Sequence, residues 1–402
     1  MSDPAAGGAA SDPAAFRRAL LALIVGQVCL HSCMAGVRLA APLQALRQGH
    51  AAWAVGLLMG LFAAAPILLA LQAGRLADRH GYHRPMHLAV AMTSAGAALA
   101  VLSTWLPDTA QFIALCGAAM ATGAGANTGM IAILRTAGRS AHGPLALKRV
   151  FSWLSLAPAL ANAVGPVLAG GLIDLGGFRI AFFGLALLPL ASLWWVARVP
   201  RESVAAVPVK PGNRSPWALL RTPGLRRLLL VNWLMSSSWD MHTFVVPILG
   251  HERDFSASAI GFVLGAFAAA VALLRLAIPA LAHRLREAQV LFGAMLAAAA
   301  VLAAYPWVVT EWQMGLCAVL LGLALGAVQP MIMTSLHHIT PDGRHGEAIA
   351  LRSMTINLSS ALMPLLFGLA GAAIGAATLF WLMAAMVAAG SPQARRIEAA
   401  GP

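Results

Sequence analysis

Ionisable side chains stand inside long apolar runs of this chain, where a charge is costly to hold: His31, Arg38, Asp240, His242 and Arg275. Such residues are functional candidates by default. An acid or imidazole held there can take up and release a proton, and a guanidinium can hold an anion. Gln27, His31 and Arg38 recur at steps of four and seven, which places them on one stripe of a helix. Adding 205 to those numbers reaches a matching stripe, Asn232, Ser236 and Thr243, with Asp240 between them. Two such stripes facing each other would line a polar hollow. Asp240 is the leading site candidate, either as a solute- or proton-binding acid or as the buried partner of a base.

Other candidates carry open alternatives. Arg38 either faces the hollow or snorkels to an outer edge. Arg275 lies nine residues before Arg284, roughly 13 Å along a helix, so it either reaches that end or lines the path. His242 is two residues from Asp240, about 200° around a regular helix, so both face one cavity only if the helix breaks there. Asn127 and Gln329 sit in mid-segment and either add hydrogen bonds to the hollow or bind helices together. Cys29, His31 and Cys33 share a segment, but helix geometry turns His31 away from both thiols, and no metal site is expected.

The elements that must position these groups are written twice. The stretch Gly74-Arg75-Leu76-Ala77-Asp78-Arg79-His80-Gly81-Tyr82-His83-Arg84-Pro85 is a basic loop between apolar runs. The same offset of 205 carries Gly56 to Gly261, Gly60 to Gly265, Phe62 to Phe267, Leu76 to Leu281, Ala77 to Ala282 and Arg79 to Arg284. An apolar chain built twice from one unit is the mark of a transporter with two related bundles.

Composition agrees. The 402 residues are 60% hydrophobic and 10% charged, and mean hydropathy is +0.78. Soluble domains carry about 25% charged residues, so lipid must cover most of this surface. Twelve apolar segments, at about 17–46, 53–73, 87–106, 110–134, 150–173, 179–197, 227–249, 258–281, 288–308, 313–336, 351–371 and 376–390, are expected as helices. Lipid satisfies no backbone hydrogen bond and a helix satisfies its own. The net charge of +13 invites a nucleic-acid reading, but 22 of the 27 Lys and Arg fall in alternate loops, with Arg352 counted in one of them. That is an orientation signal, and it places both termini in the cytoplasm. Four cysteines inside apolar runs read as small apolar residues.

The organisation expected is therefore a tail (1–16), a first six-helix bundle (17–197), a Pro-rich cytoplasmic linker (198–226), a second bundle (227–390) and a tail (391–402). No catalytic dyad, nucleophile elbow, nucleotide loop or cofactor motif is present, so neither an enzyme nor an ATP-driven pump is expected.

At this point the chain resembles the major facilitator superfamily. Gly74 to Arg84 matches that family's Gly-x-Leu-Ala-Asp-Arg-x-Gly signature, with Gly74, Asp78, Arg79, Gly81 and Arg84 in register. The resemblance implies that Asp78 pairs with bases and helix N-termini to shut the cytoplasmic side; a solvated loop acid is the alternative. Gly165, Pro166, Gly170 and Gly171 match the Gly-Pro-x-x-Gly-Gly element of the family's antiporters, or serve general helix packing. The Arg that proton-coupled drug exporters carry in segment four is missing from Gln111–Gly117. The resemblance implies an all-α, twelve-helix, two-bundle fold and proton-coupled export of a small organic molecule, by a monomer without cofactor, while abundant Ala, Arg and Trp beside only two lysines point to a GC-rich bacterial genome and its inner membrane. Uptake of an organic anion is the runner-up, and a non-transporting sensor is a distant third.

Overall fold

The computed structural model describes residues 13–140, 144–201, 216–281, 286–340 and 345–398. Within them every regular element is helical: α1 (Pro13–Arg47), α2 (Ala52–His80), α3 (His83–Ser103), α4 (Asp108–Ser140), α5 (Pro144–Val196), α6 (Pro223–Glu252), α7 (Ala257–Leu281), α8 (Glu287–Ala304), α9 (Glu311–Gly326), α10 (Val328–Ile339), α11 (His345–Ile374) and α12 (Ala376–Glu398), with short 3₁₀ turns at Pro216–Arg221 and Tyr305–Trp307. The expected N-terminal tail (except 13–16), residues 202–215 of the linker, the copied basic loop at 282–285 and residues 399–402 lie outside the described residues.

These helices make twelve crossings. α5 holds two, separated by non-helical Gly176 and Gly177. α9 and α10 share one, interrupted at Ala327. Among the described residues nine stretches have the length and hydropathy to span a bilayer, and Leu156–Val196, at 41 residues, is long enough for two passes. α6 and α12 are not among the nine: α6 carries Asn232, Ser236, Ser237, Ser238, Asp240 and His242 within its span, and α12 turns polar from Ser391 onward. Apolar side chains cover the outside of the bundle, with Leu68 74% and Leu175 83% exposed, as lipid-facing positions should be.

The boundaries correct the sequence reading in two places. The stretch from Gly74 is not a loop. α2 runs on to His80 and stops only at Gly81, whose φ of 69° favours glycine and whose N–H donates to the Ala77 carbonyl. Nothing before Gly81 breaks the helix, so a basic patch became its last turns. The joint between the fifth and sixth segments is likewise no loop but the glycine pair, with Gly177 at φ 77°.

The two halves meet along two seams related by pseudo-twofold symmetry. In one, a Cβ on Gly56 would lie 2.4 Å from the Pro364 carbonyl of α11, and one on Gly60 2.9 Å from that of Ala361. In the other, a Cβ on Gly261 would lie 2.4 Å from the Pro166 carbonyl of α5, and one on Gly265 3.0 Å from that of Ala163. Gly368 meets the Ala52 carbonyl as Gly170 meets that of Ala257. The offset of 205 relates α2 to α7, and an offset of 198 relates α5 to α11, including the left-handed Gly177 and Gly375 at φ 77° and 81°. Both seams lie at the end of the molecule that carries the α1–α2 turn, here called the far end. The near end carries the start of α1.

Candidate functional site

Two cavities lie one above the other between the halves. The larger, about 270 Å³, is lined by Arg38 of α1, Asn162 of α5, Asn232, Ser236, Trp239 and Asp240 of α6, Arg275 of α7, Gln329 of α10 and Arg352 and Ser360 of α11, with Pro158, Met235, Leu325 and Ile356 among the apolar residues. The smaller, about 150 Å³, lies under the glycine seams and is lined by His31, Met34, Arg38, Met59, Asn162, Pro166, Trp239, Thr243, Leu264 and Phe267. Arg38, Asn162 and Trp239 line both, so they form the partition between them.

Asp240 is 3% exposed. Ser359 Oγ donates to its Oδ2 at 2.8 Å and Ser360 Oγ donates to its Oδ1 at 3.0 Å. Both serines are on α11, so the acid of α6 is braced by its neighbour. The carboxylate also feels the Arg38 guanidinium across the cavity. Arg38 Nε and Arg275 Nε are buried without a hydrogen-bond partner. Arg352, 8% exposed, donates from Nε to Asn232 Oδ1 at 3.2 Å and lies close enough to Arg275 for the two cations to repel. The cavity wall therefore holds three guanidiniums and one carboxylate. Charges withdrawn from water this far need a counter-charge or dense hydrogen bonding, and the protein wall supplies fewer acids than bases.

Of the residues singled out in the sequence, the structure brings Arg38, Asn232, Asp240, Arg275 and Gln329 together on this wall, and puts His31 on the smaller cavity. It turns three others away. Gln27 is buried inside the first half, near the face of α4 at Gly129, with both amide atoms unpartnered. Asn127 lies on neither cavity wall. His242 corrects the cavity assignment most clearly. α6 is continuous from Pro223 to Glu252, so the imidazole points away from Asp240. It is 0% exposed, its Nδ1 lies 3.0 Å from Tyr305 Oη, and its ring packs 4.3 Å from that of Phe267.

Sequence reasoning missed Arg352, Asn162 and Trp239. Arg352 was counted among cytoplasmic loop bases, but it lies within α11, seven and eight residues before Ser359 and Ser360. That spacing puts all three on one stripe and was a signal available in the sequence.

The signature residues are placed as follows. Arg79 and Arg84 are exposed, Gly81 caps α2, and a Cβ on Gly74 would meet nothing within 4 Å. The side chain of Asp78 lies outside the described residues. Gly165 allows α5 to approach α1, where a Cβ would lie 2.7 Å from the Ser32 carbonyl. Pro166 and Gly170 form the seam with α7, while a Cβ on Gly171 would meet nothing within 4 Å.

Known proteins place this geometry. The sequence profile of the Major Facilitator Superfamily matches residues 23–310 and 228–394. The enterobactin exporter EntS of Escherichia coli O1:K1 is 27% identical over 387 residues, covering 94% of this chain and 88% of that protein. The EntS of Shigella boydii serotype 18 is 26% identical over the same shares. Among solved structures, a POT family transporter in complex with 5-aminolevulinic acid superposes with a TM-score of 0.76 at 13% identity, covering 93% of this chain and 95% of that one. A bacterial homologue of the iron transporter ferroportin, in an inward-facing state, reaches 0.70 at 18% identity, covering 95% and 98%. At these identities the structures speak for the fold. Two symmetric bundles around a polar hollow, matched by the family profile along nearly the whole chain, show that the protein belongs to the Major Facilitator Superfamily and is a multi-pass secondary transporter.

Proposed function

We propose that this transporter exports a small organic anion from the cytoplasm of a bacterial cell by alternating access, with proton uptake at Asp240 as the coupling step. The observation that carries the reading is the charge of the cavity: Arg38, Arg275 and Arg352 against the single carboxylate of Asp240. An anionic solute supplies the counter-charge that the wall lacks, and charge-assisted bonds to guanidinium are the strong ones. Trp239 adds an aromatic face beside them. Export follows from the likeness to the enterobactin exporters, which cover nearly all of the chain.

In this reading the far end is periplasmic and both termini are cytoplasmic, as the alternation of basic loops supports. The halves, 17–197 and 227–390, rock about the central cavity, with 198–226 as their linker. The conformation has its periplasmic side sealed by the glycine seams, and the anion enters the larger cavity from the cytoplasm. To leave, it must pass the partition of Arg38 and Trp239 toward His31. Asp78, at the cytoplasmic end of α2, would close the opposite side when the seams part. The protein works as a monomer.

The test uses inverted membrane vesicles with an imposed proton gradient and three probes: enterobactin, the anionic dye fluorescein and the cationic dye ethidium. Gradient-dependent accumulation of an anion that ethidium does not inhibit is the expected result. Accumulation of ethidium alone overturns the anion reading, and flux indifferent to the gradient removes the proton.

A further inference from the structure

The two glycine seams share their close glycine-to-carbonyl contacts, but a carboxylate crosses one of them. Asp174, in the last turn of the first crossing of α5, reaches across to the other half. Its Oδ1 accepts the backbone N–H of Ala257 at 3.1 Å and its Oδ2 accepts that of Ser258 at 2.7 Å. Those are the first two N–H groups of α7, which have no partner within their own helix. Ser256 Oγ accepts the next, from Ala259, at 3.1 Å. The start of α7 is thus capped jointly by its own serine and by a carboxylate lent from the first half. An anion there also meets the positive end of the helix dipole.

Among the described residues the other seam shows no such contact. The 198 offset carries Asp174 to Ala372, and the start of α2 follows Ala51, which forms no side-chain cap. The backbones of the two seams are equivalent, so packing does not require the acid.

We propose that Asp174 is a latch that holds the far end of the transporter shut, releasing the first turn of α7 each time that end opens. This rests on the alternating-access reading above. When the seam parts, the exposed carboxylate and the N–H groups of Ala257 and Ser258 exchange their mutual hydrogen bonds for bonds to water. The latch is therefore weak enough to open and biased toward closure. It also makes the two seams unequal: α5 and α7 separate against two charge-assisted hydrogen bonds that have no counterpart at the equivalent positions Ala372 and Ala51 of the other seam.

The test reads conformation rather than flux. Met59, on the smaller cavity beneath the seams, is replaced by Cys in a background lacking Cys29, Cys33, Cys116 and Cys317. A membrane-impermeant maleimide is applied separately to right-side-out and inverted vesicles. Asp174→Ala is expected to raise the labelling rate from the far face roughly fivefold, the equilibrium equivalent of losing about 1 kcal/mol of helix-end stabilisation. Asp174→Asn keeps the shape and one acceptor, and is expected to give an intermediate rate. It carries the test if the Ala variant does not insert. Labelling from the far face that stays at the parent rate in the inserted variants overturns the latch. A protein that shows the labelling change but moves none of the probes keeps the latch and instead refutes the anion-export reading.

Discussion

Gln27 and Asn232 occupy equivalent positions in the two halves, yet only one of them has something to do. Asn232 accepts from Arg352 on the cavity wall, whereas Gln27 is sealed inside the first half with no partner for either amide atom. The same divergence runs through the site. The second half contributes Asp240, Arg275, Arg352, Asn232 and Gln329 to the larger cavity, and the first half contributes Arg38 and Asn162. The seams show the opposite behaviour, since Gly56 and Gly261 each bring a helix against a proline carbonyl at the same distance. Close backbone approach leaves room for glycine alone, so the duplicated positions were kept. A polar wall residue is constrained only by what it binds, and each half was free to change it. Most polar groups of the larger cavity therefore come from the second half.

Several substitutions would break or sharpen that contrast. The largest effect is expected for Asp240→Ala, which strands Ser359 and Ser360 and leaves Arg38 without its acid. Gradient-driven flux in vesicles should fall at least about a hundredfold, because removing one partner of a buried charged set typically costs 3–5 kcal/mol. Flux close to wild type would end the assignment of the coupling acid to the second half. Next are Arg275→Ala and Arg352→Ala, each expected to weaken binding of an anionic probe by roughly tenfold to a hundredfold, the range for a hydrogen bond to a charged group. Arg352→Lys should recover part of it, since a lysine keeps the charge but not the fork. An equal loss from altering Arg38 alone would move the recognition centre to the first half.

At the seams the halves should respond alike. Gly56→Leu and Gly261→Leu each force a side chain against backbone, and each is expected to lower stability by about 1–3 kcal/mol, read as matching drops in the thermal unfolding midpoint in detergent. A large difference between them would refute the symmetry. The smallest effect is expected at the position pair itself. Gln27→Leu removes unpartnered polar atoms from an apolar site and should be neutral or mildly stabilising, whereas Asn232→Leu leaves Arg352 Nε unpaired and should impair probe binding. If both are silent, the amide of Asn232 is as idle as that of Gln27.

Much was legible in the chain itself. Low charge and repeated apolar runs dictate membrane helices, because a backbone in lipid must satisfy itself. The internal offset exposes the duplication, and the glycines that form the seams stand in register within it. Asp240, Arg38 and Arg275 could be named because a charge inside an apolar run demands a reason. What the order of residues could not decide is how each helix turns about its own axis. That rotation sends His242 to Tyr305, Gln27 toward α4 and Arg352 into the cavity. It is set by the summed packing of neighbouring helices from both halves, a quantity that no single segment contains.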